Sequence, residues 1–170
     1  MLTLHTKVEA TPAVAGELVL PYRLREKSRL RATLTSGEEV AVLTQRGTVL
    51  RDGDLLKGND GRVIRIVGEP EPVYRIECGD THALLRCAFH LGNRHTQTQL
   101  GHRWLRIAAD PVLRDMLTGL GASVANECAV FEPEAGAYSG PHRHGDDGHS
   151  SHLLAPLPAR QKIHRPSDPA

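Results

Sequence analysis

Aromatic residues, net charge and long apolar runs are all scarce in this chain, and each shortage excludes a class of protein. The 170 residues include one Trp, three Tyr and two Phe, so the core is predicted to consist mainly of Val, Leu, Ile and Ala. The formal net charge is +1, which provides no basic surface for binding nucleic acid. Because no apolar run approaches the roughly 18 residues of a membrane span, no membrane association is expected.

Cysteines are also few and widely spaced. Cys78, Cys87 and Cys128 include no CxxC pair, which excludes a disulfide framework or a zinc finger. We predict that they are buried free thiols. The N-terminus lacks a charged segment followed by an apolar one, so it does not look like a signal peptide. These features predict a soluble, cytoplasmic protein.

Motifs of catalysis are missing as well. The chain has no nucleophile motif, paired acids or phosphate-binding loop, and residues 58–61 (GNDG) read as a turn because no GK[ST] follows. The predicted folded part contains no HxH or HExxH, which leaves little support for a metal-dependent hydrolase. We therefore expect no enzymatic activity, no catalytic residues and no resident cofactor.

Residues 1–70 are predicted to form an all-β domain. Apolar alternation and turn dipeptides such as Asp52-Gly53 indicate short strands at residues 1–8, 16–20, 30–34, 40–43, 48–50, 54–56 and 63–67. Short strands with frequent turns favour a small sandwich or barrel. Two prolines make residues 68–72 the predicted linker.

Residues 71–140 are predicted to form a ferredoxin-like βαββαβ domain, which makes the fold class α+β. Asp80 or Thr81 begins a helix that Gly92 and Asn93 end, since both tolerate a left-handed conformation. Asp110 begins the second helix, with a proline at its first position. The strands are predicted at residues 73–77, 96–100, 103–107 and 123–131.

Histidines are the compositional exception. Five of the ten histidines fall in residues 141–170, a segment rich in Pro and Gly that we predict to be a disordered tail. Neutral imidazole is the commonest metal ligand on a protein. One ordered histidine and several on a tail suit a protein that takes up a metal and later releases it, whereas a structural zinc site would close with four fixed ligands.

Two motifs accompany this pattern. Residues 90–95 read HLGNRH, and residues 131–138 read FEPEAGAY before the histidine tail. Together and in this order they resemble the UreE family of urease accessory proteins, across essentially the whole chain. The resemblance implies a homodimeric nickel metallochaperone whose first domain is similar to the peptide-binding domain of DnaJ-type chaperones. It also implies that the second domain forms the dimer, and that the metal reaches the urease apoprotein maturation complex through the GTPase UreG.

The resemblance also implies the metal ligands. His95, which closes the GNRH motif, binds Ni²⁺ at the dimer interface; His142 and His144 in the tail match best as further ligands, and His149 and His152 are additional candidates. Near a twofold axis His95 meets its own copy, and Ni²⁺ accepts four to six N/O ligands, which leaves room for the tail. Zn²⁺ or Cu²⁺ can substitute at such a site.

A second interpretation remains open, in which the chain is a general nickel or zinc buffering or storage protein. Such a protein would depend on its tail and would need no partner. The tail histidines here are scattered and form no dense run, which favours delivery over storage.

Overall fold

The computed structural model describes residues 1–136, which form two β-sheets and three helices. The predicted tail, with His142, His144, His149 and His152, lies outside these residues. Among residues 1–136, no helix is both long enough and apolar enough to cross a membrane.

The first sheet contains six strands and curls into a nearly closed barrel. Its strands are β1 (Leu2–Val8), β2 (Gly16–Leu20), β3 (Arg29–Thr33), β4 (Glu39–Leu43), β5 (Leu55–Gly58) and β6 (Val63–Gly68). They lie in the order β2-β6-β5-β1-β4-β3. The two edge strands meet at one end, where the Thr35 amide donates to the Glu17 carbonyl at 3.0 Å. The interior is aliphatic, as predicted, with Leu4, Leu18, Val40, Val42, Leu56, Ile64 and Ile66 buried.

The second sheet confirms the ferredoxin-like prediction. Its elements are β7 (Pro70–Glu77), α2 (Thr81–Asn93), β8 (Gln99–Gly101), β9 (Trp104–Ala108), α3 (Pro111–Gly119) and β10 (Ser123–Val130). The strands are antiparallel in the order β10-β7-β9-β8. The Asp80 side chain accepts from the Ala83 amide, and Asp110 accepts from the amides of Val112 and Leu113, so both predicted caps are confirmed.

Two elements of the first seventy residues differ from prediction. Tyr22–Arg25 forms a short helix, α1, that the sequence did not indicate. Residues 48–50 belong to no strand; the Leu50 amide donates instead to the Arg25 carbonyl at 2.9 Å. A backbone contact to α1 therefore replaces the expected strand pairing.

The predicted linker is almost absent. Gly68 ends β6 and Pro70 begins β7, so a single residue separates the two sheets. Pro70 and Pro72 pair with β10 only, because β9 joins β7 from Val73 onward. Proline has no amide to donate, so it fits a strand position with a neighbour on one side.

The cysteine prediction is only partly correct. Cys87 is buried and Cys78 is half-buried, but Cys128 is exposed. Cys128 lies on β10, an edge strand of the second sheet, and this position leaves its side chain accessible.

Candidate metal centre

His95 occupies an unusual backbone position at the end of α2. The helix continues through Gly92 and Asn93, which were predicted to end it, and His95 itself takes the left-handed conformation, with φ of 52°. The His95 amide donates to the Gly92 carbonyl at 2.9 Å and the Thr96 amide to the Leu91 carbonyl at 3.1 Å. These two bonds form a Schellman motif, in which the left-handed position is usually occupied by glycine.

The loop therefore carries a side chain where glycine would be less strained. A left-handed conformation is disfavoured for residues with a Cβ atom, although histidine tolerates it better than most. Strained positions of this kind cluster at functional sites. The His95 side chain is exposed at this point, where it can reach a metal ion.

Among residues 1–136, no group of three or more His, Cys, Asp or Glu side chains could hold a metal ion. The nearest histidine in sequence, His90, is half-buried with its ring 5.5 Å from that of Phe89, and its carbonyl accepts from Arg94 at 3.2 Å. A metal held by His95 therefore needs ligands from outside the described part of one chain.

Cys87, which lies in α2 next to Cys78, is poorly suited to supply a thiolate. The Sγ atoms of Cys78 and Cys87 lie 3.8 Å apart. Burial, followed by the hydrogen bond with Cys78, raises the pKa of the Cys87 thiol to about 11. Because a metal binds the thiolate form, this thiol is a weak candidate ligand near neutral pH.

An apolar surface lies on the same helix as the candidate ligand. Leu85 is 63% exposed and Phe89 is 64% exposed. Their spacing of four residues puts them on one face of α2, while Cys87 and Leu91 face the core. Large exposed apolar side chains side by side indicate a contact surface for another molecule.

The last described residues, which precede the predicted tail, run beside the segment that follows His95. The Glu134 amide donates to the Thr98 carbonyl at 2.9 Å, and the Glu132 amide donates to Gln99 Oε1 at 3.1 Å. Phe131 is buried against Tyr22, with ring centroids 5.4 Å apart. Residues 131–134 are therefore held against the segment that follows His95.

Glu132 is the most heavily bonded carboxylate at this point. It accepts from Arg25, from Arg51 Nη1 at 2.9 Å and from the Asp52 amide at 2.9 Å. Burial raises the pKa of Glu132, but hydrogen bonds from Arg51, the Asp52 amide and Arg25 outweigh it, so the pKa is lowered. Glu132 is thus held as a carboxylate.

The sequence analysis did not predict this network of hydrogen bonds. Glu132 belongs to the FEPE segment quoted above, but Arg25 precedes it by 107 residues. No local signal marked Arg25, because residues 23–27 read RLREK and are typical of an exposed segment. Its full burial, which requires a partner for the charge, is evident only in the folded chain.

Comparison with known proteins identifies relatives along the whole chain. A family model described as "UreE urease accessory protein, N-terminal domain" matches residues 2–68, and one described as "UreE urease accessory protein, C-terminal domain" matches residues 71–155. A urease accessory protein UreE from Janthinobacterium sp. (strain Marseille) is 64% identical over 170 residues, covering 100% of this chain and 99% of the relative. The protein of the same name from Nitrosospira multiformis is 61% identical, covering 99% and 98%.

Proposed function

The chain belongs to the UreE family of urease accessory proteins, and on that premise we propose that it binds Ni²⁺ at a dimer interface and delivers it to urease. Membership in this family implies that the chain takes part in urease maturation as an accessory chaperone and not as an enzyme. The proposal adds the metal, the dimer and the direction of transfer.

The exposed His95 in a left-handed position is the observation that carries the proposal. One imidazole cannot hold Ni²⁺ alone, since the ion takes four to six N/O ligands. A twofold axis near His95 would supply a second copy. We propose that His142 and His144, together with His149 and His152, provide the tail ligands that complete the shell, and that incomplete closure permits release.

Leu85 and Phe89 support the dimer. They lie on the helix that ends just before His95, so a symmetric contact through this face would bring the two α2 helices together. Burying both side chains in each chain removes apolar area from water, which is the main favourable contribution to association.

We therefore expect Phe89→Arg to shift the protein from dimer to monomer. Arginine at the proposed contact places two like charges near the axis, while leaving the core residues Cys87 and Leu91 unchanged. Light scattering after size-exclusion chromatography measures the mass, and Val19→Arg on the first sheet is the matched control because Val19 is also exposed. A Phe89→Arg protein that remains dimeric would place the interface elsewhere.

Nickel affinity should fall steeply as the pH drops through about 6.5, the reference pKa of imidazole. Each imidazole must lose its proton to bind, so binding releases protons. With two His95 copies and at least one tail histidine engaged, more than one proton competes with the metal. Titrations between pH 5.5 and 8 measure the slope; a flat profile would mean that carboxylates or water dominate the shell.

Metal transfer tests delivery directly. The nickel-loaded protein, mixed with the urease apoprotein complex and UreG, should activate urease in the presence of a chelator that captures free Ni²⁺. We propose that this transfer takes place in the cytoplasm, with the first domain contributing contacts to a protein partner. Nickel that stays bound under these conditions would favour the buffering or storage alternative.

A further inference from the structure

Two of the three thiols lie next to each other beneath α2. The Sγ atoms of Cys78 and Cys87 are 3.8 Å apart, in contact but not bonded. Cys87 is fully buried in the apolar core of the second domain, and the half-buried Cys78 packs against that core. The proposed nickel shell consists of imidazoles, so this pair of thiols takes no part in it.

The two sulfur atoms differ in their freedom to move. Cys87 is held in the middle of α2, whereas Cys78 follows Glu77, the last paired residue of β7, and precedes Gly79. The backbone of Cys78 belongs to no strand or helix. The S–S bond of a disulfide is about 2.05 Å long, so the two sulfur atoms would have to approach by about 1.8 Å. A shift of the Cys78 segment supplies this movement while α2 stays packed on the sheet.

The two thiols also differ in access to solvent. Cys78 is half-buried and Cys87 has no exposed surface. Burial, followed by the hydrogen bond with Cys78, raises the pKa of Cys87 to about 11, so Cys87 is protonated near neutral pH. An oxidant from solvent therefore meets Cys78 first, and Cys87 is placed to react second.

We propose that Cys78 and Cys87 are a reversible oxidation site that closes to a disulfide and ties α2 to the end of β7. The oxidant is a hydroperoxide, for which hydrogen peroxide is the simplest case. The inference does not depend on nickel binding, since neither sulfur is a proposed ligand.

The oxidation proceeds in two steps. The Cys78 thiolate attacks hydrogen peroxide and the O–O bond breaks; one oxygen stays on the sulfur as a sulfenic acid, and the other leaves as hydroxide, which takes up the proton that Cys78 lost. The Cys87 sulfur then attacks the sulfenic sulfur. The S–S bond forms, the S–O bond breaks, and the hydroxyl group leaves with the Cys87 proton as water. Two thiols and one hydrogen peroxide thus give one disulfide and two water molecules.

The short distance between the sulfur atoms compensates for the high pKa of Cys87. With a pKa of about 11, only about one Cys87 in 10,000 is a thiolate at pH 7. Well-oriented groups in one molecule react as if at an effective concentration of about 10⁵ M or more, which outweighs this fraction. Cytoplasmic disulfides are usually transient and redox-sensing, and thiol–disulfide exchange with cellular thiols reverses them.

The disulfide would act on the helix that leads to the candidate nickel ligand. It would join residues nine positions apart, and a cross-link of this kind restricts local opening of the segment that it closes. Leu85 and Phe89 lie on the exposed face of the same helix, and His95 follows its end. Oxidation would therefore stiffen the element that carries the apolar surface and the His95 loop.

The test uses the full-length chain with Cys128→Ser as the parent, because the exposed Cys128 would react on its own. Cys78→Ser and Cys87→Ala are made in this background. Each protein is treated with hydrogen peroxide, denatured with an alkylating reagent present, and analysed by mass spectrometry of the intact chain and of its peptides. Hydrogen exchange of the oxidised and the re-reduced parent then compares the α2 amides with those of α3, which carries no cysteine.

We expect the parent to lose both thiols together, to yield a linked Cys78–Cys87 peptide, and to recover both thiols with a dithiol reductant. Cys87→Ala should stop at a sulfenic acid on Cys78, which a cyclic diketone traps, and Cys78→Ser should keep its Cys87 thiol. In the oxidised parent the α2 amides should exchange up to about 100-fold more slowly, the protection that closing a loop of this length predicts, while the α3 amides stay unchanged.

Three results would overturn the proposal. The first is a sulfenic acid that accumulates on Cys78 of the parent while Cys87 keeps its thiol, because the pair then does not close. The second is a parent with both thiols intact under conditions that fully oxidise Cys128 in the wild-type chain. The third is a closed disulfide with unchanged or faster exchange in α2, because the bond then does not tie the helix to β7.

Discussion

Replacing His95 with glycine is expected to abolish the tightest nickel site while leaving the protein at least as stable as the wild type. One substitution removes two imidazoles from the proposed symmetric site. Loss of groups that merely support a metal ligand costs about 10- to 100-fold in affinity, so loss of a ligand used twice should exceed about 100-fold. The high-affinity phase of a nickel titration should disappear.

The stability expectation follows from the backbone of the loop. His95 holds the left-handed position of a Schellman motif at φ of 52°, which costs a residue with a Cβ atom about 1–2 kcal/mol. Glycine relieves that strain but loses about 0.5–1 kcal/mol more conformational entropy on folding. The net change is a gain between zero and about 1.5 kcal/mol.

Two further variants make the result specific. His95→Ala removes the imidazole but keeps the Cβ atom, so it should lose the tight site without gaining stability. His102→Ala removes another exposed histidine of the second domain and should bind nickel like the wild type. Unchanged affinity in both His95 variants would reject His95 as a ligand, and a large drop in melting temperature for His95→Gly would show that the imidazole supports the fold instead.

Local sequence signals predicted most of the second domain. Asp80, Asp110 and Pro111 act within one helical turn, so their effect can be read without knowledge of the tertiary structure. Both helices and the βαββαβ order were therefore predicted correctly. The aliphatic alternation of the first seventy residues likewise predicted a barrel-like sheet, because burial of one face repeats every second residue along a strand.

Prediction from residue propensities was wrong where tertiary contacts or function determine the backbone conformation. Gly92 and Asn93 are better suited to a left-handed position than His95, yet His95 occupies it. Helix α1 has only four residues, too short for a periodic pattern. The buried Arg25 and its distant partner Glu132 meet only in the folded chain. The predicted domain boundaries at residues 70 and 140 and the tail ligands remain predictions.

The ion pairs of Arg25 and Arg51 with Glu132 should carry a measurable part of the stability of the fold. Arg25 is fully buried, and among the described residues its Nε has no hydrogen-bond partner, so the guanidinium depends on its remaining contacts. Removing one partner of a buried ion pair costs about 3–5 kcal/mol. The Glu132 side chain is 25% exposed, which puts the expected loss for Glu132→Ala near the lower limit, about 3 kcal/mol.

This contribution should depend on pH in a defined direction. The folded-state pKa of Glu132 is lowered, below the reference value for glutamate of about 4.3. The stabilisation is therefore fully present above about pH 4.3 and is lost as the pH falls through the folded pKa. Denaturant unfolding of wild type and Glu132→Ala should differ most at pH 7, and the difference should narrow toward pH 3.

A double variant distinguishes the contribution of the ion pair to stability from the contribution of side-chain packing. Arg25→Met combined with Glu132→Ala removes the stranded charge, and replacing a buried ion pair with apolar groups is often nearly neutral. The double variant should therefore recover much of the stability that Glu132→Ala loses, although the bonds of Glu132 to Arg51 and the Asp52 amide stay broken. Two outcomes would show that the charge of the Glu132 carboxylate does not hold the two sheets together. One is a double variant that is less stable than Glu132→Ala. The other is a stability difference between wild type and Glu132→Ala that is the same at pH 7 and at pH 3.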